Sequence, residues 1–521
     1  MKRRTLLCAA LCLPILLLAQ EKVDLSVVNR IKTEAFQNSK VMDHAFYLAD
    51  VYGPRLANSP GFFKAAEWAV QTLKGWGLED ARLEKWGPYG RAWSCSRFAL
   101  HMLEPQPAPL LAVPLAWSPG TDGAISGEVV LAPIKTAEEG EKYKGKLKGK
   151  FVMTDAPREL APHLEPDARR QSDADLDKLA LAPDPGQPPA RPVGPRMEEA
   201  RLSRMKLAQF FASEGVLAVI SEGSSGDDGT LPAAAAGSPD PKNPLPPPSL
   251  ALAAEHYNRI ARLLDKNIPV RLELEMKVQL GAESIDGANV VANLPGGGKR
   301  DQIVMIGAHL DSWQAATGAT DNGAGSAVML EVVRILTALG LKMDRTVRIA
   351  LWDAEEQGLI GSREYVKAHF ADPDTMALRP EHAQLSVYFN LDNGTGKIRG
   401  VYLQGNDMMR PIFETWLAPF KDLGASTIAI RNTGSTDHVS FDDVGLPGFQ
   451  FIQDPLDYGS RTHHTNMDTY DHLQKADLMQ ASAIIASLVY NAATRPEMLP
   501  RKPLPKPQPP SEAKKPEPKK D

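Results

Sequence analysis

The stretch IVMIGAHLD (303–311) decides the fold of this chain. Its apolar run, 303–308, has the length of a buried strand and ends directly before His309. An amphipathic helix pattern, with apolar residues at three- and four-residue steps, follows at 328–339, and a second apolar run follows at 346–352. Strands that alternate with helices predict an α/β fold, with a mostly parallel mixed sheet and helices on both of its faces.

The same alternation continues downstream, with strand candidates at 386–391 and 448–452, but it does not extend far upstream. Residues 118–280 carry short strand candidates that are separated by two proline-rich stretches. This change of texture predicts a β-rich inserted domain at 118–280. The main domain is then discontinuous and consists of residues 20–117 and 281–495.

Both ends of the chain are predicted to lie outside the folded domains. Residues 1–19 have a basic start and a short apolar run, which is the layout of a secretory signal peptide; an uncleaved membrane anchor is the alternative. Residues 496–521 are rich in proline and lysine and have too few apolar side chains to form a core. They are predicted to be a disordered tail.

Composition narrows the class of protein and its compartment. A formal net charge of −5 over 521 residues lacks the basic bias of nucleic-acid-binding proteins. Cys8 and Cys12 lie in the predicted signal segment, so Cys95 is the only cysteine of the mature chain and no internal disulfide can form. We therefore expect a protein exported to a bacterial periplasm or to the medium, with no stable membrane insertion after signal cleavage.

Candidate site residues lie in five short segments, each at or just after the end of a predicted strand. Each segment alone has a structural interpretation, such as a helix cap, a turn or a solvated carboxylate. Together they place imidazoles and carboxylates at strand ends, where ligands collect in open α/β sheets, and zinc accepts this mixture of donors. The segments are His309-Leu310-Asp311, Asp321-Asn322-Gly323, Asp353-Ala354-Glu355-Glu356, Asn390-Leu391-Asp392 and HHTNMDT (463–469).

These segments resemble the family of di-zinc exopeptidases that includes bacterial leucyl aminopeptidases, glutamate carboxypeptidase and carboxypeptidase Q. The resemblance starts at Gly53-Pro54-Arg55, extends to about Asn491 and is greatest toward the carboxypeptidase Q type. It implies a zinc-peptidase fold with an inserted domain similar to a protease-associated domain. It also implies two Zn²⁺ ions per chain and the hydrolysis of short peptides by an aminopeptidase, a dipeptidase or a carboxypeptidase.

The resemblance assigns the metal ligands. It makes Asp321 the carboxylate that bridges the two ions, with His309 and Asp392 completing one ion and Glu356 and His464 completing the other. The choice of His464 rests on the family pattern His-Thr/Ser-x-x-Asp-Thr, which begins at this residue and not at its neighbour.

Three further residues receive catalytic roles from the resemblance. Glu355 is the expected general base, and Asp311 is expected to accept the remaining N–H of His309 and so to orient its ring. His463 stands where many relatives have a tyrosine that helps to bind the oxyanion, and it is expected to take that role. The inserted domain is expected either to limit the substrate, to form a homodimer or to be a passive spacer.

Two other functions remain open at this point. One is an inactive, receptor-like binding module of the same fold, and the other is a single-zinc enzyme similar to glutaminyl cyclases; the complete set of ligands disfavours both. The substrate end that is cut is also open. A carboxypeptidase needs a cation for the substrate carboxylate. Candidates in segments near the site are Arg399, Arg431 and Arg461, together with Tyr458. Their side chains could equally be solvated.

Overall fold

The computed structural model describes residues 21–186, 195–223 and 226–507. The predicted signal segment, 1–19, lies outside these residues, as does the end of the predicted tail, 508–521. Two large sheets organise the described part of the chain. Within it, every helix is too short or too polar to cross a membrane.

The strands and helices are numbered in chain order. The strands are β1 (Glu79–Gly90), β2 (Trp93–Glu104), β3 (Ala108–Pro109), β4 (Ala112–Pro114), β5 (Ala124–Leu131), β6 (Phe151–Met153), β7 (Ala218–Ser221), β8 (Ser249–Leu252), β9 (Arg271–Leu280), β10 (Ile285–Leu294), β11 (Lys299–His309), β12 (Arg345–Trp352), β13 (Ala371–Asp372), β14 (Ala377–Leu378), β15 (Leu385–Asn390), β16 (Ile398–Tyr402), β17 (Thr427–Ala429) and β18 (Gly448–Gln453). The α-helices are α1 (Leu25–Gln37), α2 (Val41–Phe46), α3 (Pro60–Gly75), α4 (Ala137–Gly140), α5 (Asp173–Ala180), α6 (Pro195–Glu214), α7 (Ala254–Asp265), α8 (Ala324–Ala338), α9 (Ile360–His369), α10 (Arg410–Leu417), α11 (His438–Asp442) and α12 (Lys475–Thr494).

The first sheet has the order β1-β10-β12-β11-β15-β18-β16-β17. Its centre is parallel, because β12, β11, β15 and β18 pair in parallel, whereas β1, β10 and β16 add antiparallel pairs toward the edges. The prediction of an α/β fold with a mixed, mostly parallel sheet is confirmed.

Strand β11 shows why the central strands are apolar throughout. Val304 and Ile306 face a core that α8 and α12 share, whereas Ile303 and Met305 face a second core with residues of α9 and α11. Because both faces are covered by helices, a central strand alternates between two buried environments and not between core and water.

The second sheet has the order β3-β2-β9-β5-β6-β7-β8-β4 and its own hydrophobic core, to which α7 contributes. We call the part of the chain from β2 to β9 the second domain. It starts at Trp93, well before the expected boundary at residue 118, because β2 pairs along its length with β9. Gly87, Pro88 and Gly90 lie directly before that start, but the short strand candidates and long proline-rich stretches on which the expected boundary rested begin only later. The likeness of this domain to a protease-associated domain stays a prediction.

Residues 496–507 differ from the disordered tail that their composition predicts. The side chain of Leu499 is buried, and its backbone N–H donates to Ser386 Oγ at 3.1 Å. Asn406 Nδ2 donates to the carbonyl of Pro500 at 2.9 Å, and Lys502 Nζ lies 2.6 Å from Asp442 Oδ1. A few well-placed contacts therefore hold a segment that composition alone assigns to solvent.

Candidate metal centre

The sheet order brings the predicted site residues to one edge. His309 is the last residue of β11, and Glu355 and Asp392 follow the carboxyl ends of β12 and β15, the two strands that pair with β11 in parallel. The carboxyl ends of parallel strands meet at the same edge of a sheet, so the topology alone assembles these side chains.

Asp321 lies at the centre of the cluster, between two histidines. Its Oδ1 is 3.2 Å from His309 Nε2, and its Oδ2 is 3.2 Å from His464 Nε2. Each oxygen of one buried carboxylate thus faces a different imidazole, which is the arrangement expected of a carboxylate shared by two cations.

Two further carboxylates complete the cluster, one on each side. Asp392 Oδ1 is 3.3 Å from His309 Nε2, and Glu356 Oε2 is 2.8 Å from His464 Nε2. His309, Asp321 and Asp392 each offer one ligand atom, and these atoms lie within 4.8 Å of one another. Asp321, His463 and His464 form a second such group, whereas Glu356 joins the cluster through its contact with His464, so the two groups meet at Asp321.

Unpaired oxygens show that this donor set fits cations. Asp321 Oδ2, Glu356 Oε1 and Asp392 Oδ1 are buried and accept no well-aligned hydrogen bond from the described residues, although a histidine nitrogen lies 3.2 Å from the first and 3.3 Å from the last. Leaving buried carboxylate oxygens without donors is unfavourable, and divalent cations satisfy them. Imidazole nitrogen with carboxylate oxygen is also a donor mixture that zinc takes.

Ionisation behaviour leads to the same conclusion. Burial, together with the charge of Asp321, raises the pKa of Glu356 to about 8. Burial alone would lower the pKa of His464, but its bonds to Asp321 and Glu356 raise that pKa to about 10. The negative potential therefore draws a positive charge into the cluster, and a metal ion can supply that charge in place of the proton.

Asp311 contacts the site differently from the expectation. The ring Nδ1 of His309 lies 3.0 Å from the backbone carbonyl of Asp311 and 3.5 Å from its carboxylate. The carboxylate instead accepts the backbone N–H groups of Glu355 at 3.1 Å and Glu356 at 3.3 Å. Asp311 thus connects the His309 ring to the backbone of the two glutamates.

Glu355 and His463 also lie beside the cluster. Glu355 is buried, and its Oε2 lies 3.9 Å from His309 Nε2. His463 Nε2 lies 3.9 Å from Asp321 Oδ2, and its ring stacks on that of His464 with a centroid separation of 3.8 Å. His463 is more exposed than its neighbour and farther from Asp321, which agrees with His464 as the ligand.

The sequence profile of Peptidase family M28 matches residues 289–489, the part of the chain that carries all of these side chains. The segment that holds the candidate site is therefore similar to that family. Carboxypeptidase Q of Mus musculus is 26% identical over 92% of this chain and 91% of its own length. The solved structure of a peptidase M28 precursor from Shewanella amazonensis SB2B has a TM-score of 0.65 at 25% identity, covering 92% of this chain and 98% of that one. A zinc aminopeptidase from Bacillus subtilis has the same fold, with a TM-score of 0.55 at 20% identity over 87% of this chain and 94% of that one. The protein is a metallopeptidase of the type that includes carboxypeptidase Q and bacterial aminopeptidases.

Asp468 lies beside the candidate ligands and received no role in the sequence analysis. Its carboxylate accepts the backbone N–H of Thr320 at 2.5 Å and that of Asp321 at 3.2 Å. Burial, together with the charge of Asp321, raises its pKa to about 7. Its place four residues after His464 in the family pattern was the available signal.

Arg55 supports the loop between the first two predicted ligands, His309 and Asp321. It is completely buried, and its guanidinium donates to the carbonyls of Leu310 at 2.6 Å, Thr317 at 2.9 Å and Gly318 at 2.8 Å, as well as to that of Leu48 at 2.6 Å. Burial lowers its pKa to about 10, which leaves it charged near the buried carboxylates at neutral pH. The sequence marked this arginine only as part of Gly53-Pro54-Arg55.

The arginines considered for substrate binding lie in different surroundings. Arg399 Nη1 is 2.9 Å from the buried Asp454 Oδ1, so its charge is already paired. Arg431 lies over the ring of Tyr402, and Arg461 Nη1 is 3.9 Å from Asp167 Oδ2 of the second domain. The structure therefore gives Arg399 a structural partner and places Arg461 at the junction of the two domains.

Proposed function

We propose that the protein is a two-zinc exopeptidase that hydrolyses peptide bonds of short peptides. The observation that carries the proposal is the position of Asp321, whose two carboxylate oxygens each face one histidine, at 3.2 Å in both cases. His309 and Asp392 would hold one ion with Asp321, and Glu356 and His464 would hold the other. When bound, two zinc ions supply Lewis acidity that polarises the scissile carbonyl and makes water acidic near neutral pH.

Glu355 is the residue best placed to move the proton. It lies next to a proposed ligand in the chain, yet its side chain is not among the groups closest to Asp321. In this proposal it takes a proton from the attacking water and passes it to the leaving amine. Burial raises the pKa of Glu355 well above its usual value, which favours a carboxylate that can hold the proton between the two steps.

Asp311 and His463 support this chemistry. Asp311 fixes the two glutamates relative to His309, because its carboxylate accepts both of their backbone N–H groups. Burial lowers the pKa of His463, so that the imidazole is neutral at neutral pH and can donate one N–H to the oxyanion that forms.

The substrate class follows from the surroundings of the site. Segments of the second domain contact the loop that carries His463 and His464, so the site lies at the junction of two domains. In this proposal, a site at such a junction favours short peptides and chain ends over folded protein. The carboxypeptidase Q relatives are consistent with this class, and export and homodimer formation remain predictions of the sequence.

The test is a dipeptide panel with free, N-blocked and C-blocked members, assayed before and after chelation and after the return of zinc. We expect cleavage that chelation abolishes and zinc restores, with one type of blocking group preventing cleavage. Cleavage of the interior of long peptides, or full activity in metal-free protein, would contradict the proposal. Cyclisation of N-terminal glutamine with release of ammonia would instead favour the single-zinc alternative.

A further inference from the structure

The two proposed metal positions are supported by different parts of the fold. His309 ends β11, and its carbonyl accepts the hydroxyl of Ser326 from α8 at 2.8 Å. Asp392 follows β15, and its carbonyl accepts Gln450 Nε2 from β18 at 2.9 Å. Both ligands of the first position therefore rest on the peptidase sheet and its covering helix.

His464 has no such support from the sheet. It lies on a loop after β18, and its backbone is in the left-handed region, with φ of 55°. Residues other than glycine adopt this region at some cost in energy, so neighbouring contacts have to hold the conformation. These contacts come from the segments packed around the loop.

Some of these contacts lie within the peptidase domain, where Thr320 Oγ1 donates to Thr462 Oγ1 at 2.8 Å, and the second domain supplies others through residues 229–233. The N–H of Ala233 donates to the carbonyl of His464 at 2.7 Å. The N–H of Leu231 donates to Asn466 Oδ1 at 2.6 Å, and the N–H of Asn466 donates back to the carbonyl of Leu231 at 3.0 Å. Asn466 Nδ2 donates to the carbonyl of Gly229 at 3.1 Å, so both ends of its amide are used.

This segment is anchored in the second domain itself. The side chain of Leu231 is fully buried in a cluster with Val113, Ala251 and Ala253. The neighbouring Ala234 accepts the N–H of Ala116 at 2.9 Å. The contact with the His464 loop is therefore a contact with the body of the second domain and not with a free loop.

We infer that the second domain completes the second metal position and that Asn466 is the positioning residue through which it does so. The inference rests on the proposed function, because it presumes that Glu356 and His464 bind a zinc ion. Asn466 lies two residues beyond His464 and binds no metal itself; it holds the loop in the conformation that points the imidazole at Asp321. The zinc affinity of the first position should not depend on the contact between Asn466 and the second domain.

The amide of Asn466 allows two different substitutions. Asn466→Ala removes both side-chain bonds, whereas Asn466→Asp keeps an acceptor for the N–H of Leu231 but places a carboxylate oxygen opposite the carbonyl of Gly229 in place of the donor. Asn258→Ala is the matched control. It removes a buried amide bond within the second domain, from Asn258 Nδ2 to the carbonyl of Arg158 at 2.8 Å, at a place that does not contact the His464 loop.

The experiment is a Zn²⁺ titration of metal-free full-length protein in competition with a chromophoric chelator, with thermal unfolding of the metal-free forms as a check on folding. Wild type and Asn258→Ala should each bind two zinc ions, and the affinity for each ion should be the same in the two proteins. Asn466→Ala should keep the tighter ion and bind the weaker one about 10- to 100-fold less well, the range typical of residues that support ligands. Asn466→Asp should also bind that ion less well than wild type, because it loses the bond to Gly229, and it provides the comparison if the alanine variant does not fold.

Two outcomes would overturn the inference: unchanged binding of both ions by Asn466→Ala, or an equal loss of both ions. Wild-type protein that binds fewer than two zinc ions would instead contradict the proposed function. The two failures are thus distinguishable.

Discussion

Exchanging each of the adjacent residues Glu355 and Glu356 for glutamine should separate proton transfer from metal binding. Glutamine keeps the shape of either side chain, and the backbone N–H groups that Asp311 accepts are unchanged. Glu355→Gln therefore removes only a proton acceptor. We expect both zinc ions to stay bound and kcat to fall by roughly 10²- to 10⁴-fold, or about 3–5 kcal/mol in the activation free energy.

Glu356→Gln should fail in a different way. Its carboxylate lies 2.8 Å from His464 and carries a buried oxygen that accepts no hydrogen bond from the described residues, which is the position of a ligand. Loss of its negative charge should lower the affinity for one zinc ion by at least about 10- to 100-fold, which is the effect of changing a residue that only supports a ligand. Activity should then return in part at high zinc concentration.

The assay is zinc content by elemental analysis together with kcat and KM on a cleaved dipeptide at several zinc concentrations. Glu364→Gln, an exposed carboxylate on α9, is the control and should change neither quantity. The reasoning is refuted if Glu355→Gln loses zinc while Glu356→Gln keeps it. Retention of metal and activity by both variants would mean that neither glutamate has the proposed role.

Three further predictions concern the site and its scaffold. Asp321→Asn should lower the affinity for both zinc ions at once, unlike any other single ligand change, and two-step zinc titration measures this. Arg55→Lys should lower the free energy of unfolding by about 2–4 kcal/mol, because one ammonium cannot satisfy the four buried carbonyls that the guanidinium binds; urea unfolding checks this value, and an unchanged midpoint would contradict it. Hydrogen bonds to Glu381 and Glu84 raise the pKa of His369 to about 9. Its ordinary value is about 6.5, so the stabilisation is fully present below that pH and is lost as the pH rises through 9. His369→Gln should therefore lower Tm at pH 6 but not at pH 10, and an equal loss at both values would refute the charge argument.

Local pattern was sufficient for the central sheet and for the position of the candidate site residues at the strand ends, for one physical reason. Buried parallel strands are apolar throughout, so the polar residues that follow them, such as His309 and Asp392, stand out at the strand ends. Topology then brings these ends together whatever the exact register. The resemblance of the motifs to a known family supplied the distinction between Glu355 and Glu356, which pattern alone does not make.

Long-range contacts were not accessible in this way. Arg55 binds carbonyls more than 250 positions away, and nothing in its local sequence indicates their presence. Asn466 appeared as an unassigned position of a motif, because its partners, Gly229 and Leu231, lie in another domain. The early start of the second domain was missed for the same reason, since pairing of β2 with β9 joins segments that the chain separates widely.

The place where the second domain leaves the first sheet has a consequence for the architecture of such enzymes. Strands β1 and β10 pair antiparallel, with Trp86 opposite Gly287 and Gly90 opposite Ile285, so the chain departs and returns at adjacent points. These two strands are in effect one hairpin whose turn has been replaced by an entire domain. The entropy of closing a loop grows only slowly with its length, so the hairpin tolerates such a large replacement. A graft at this turn should therefore exchange the second domain as a module, provided that the new module also contacts the His464 loop.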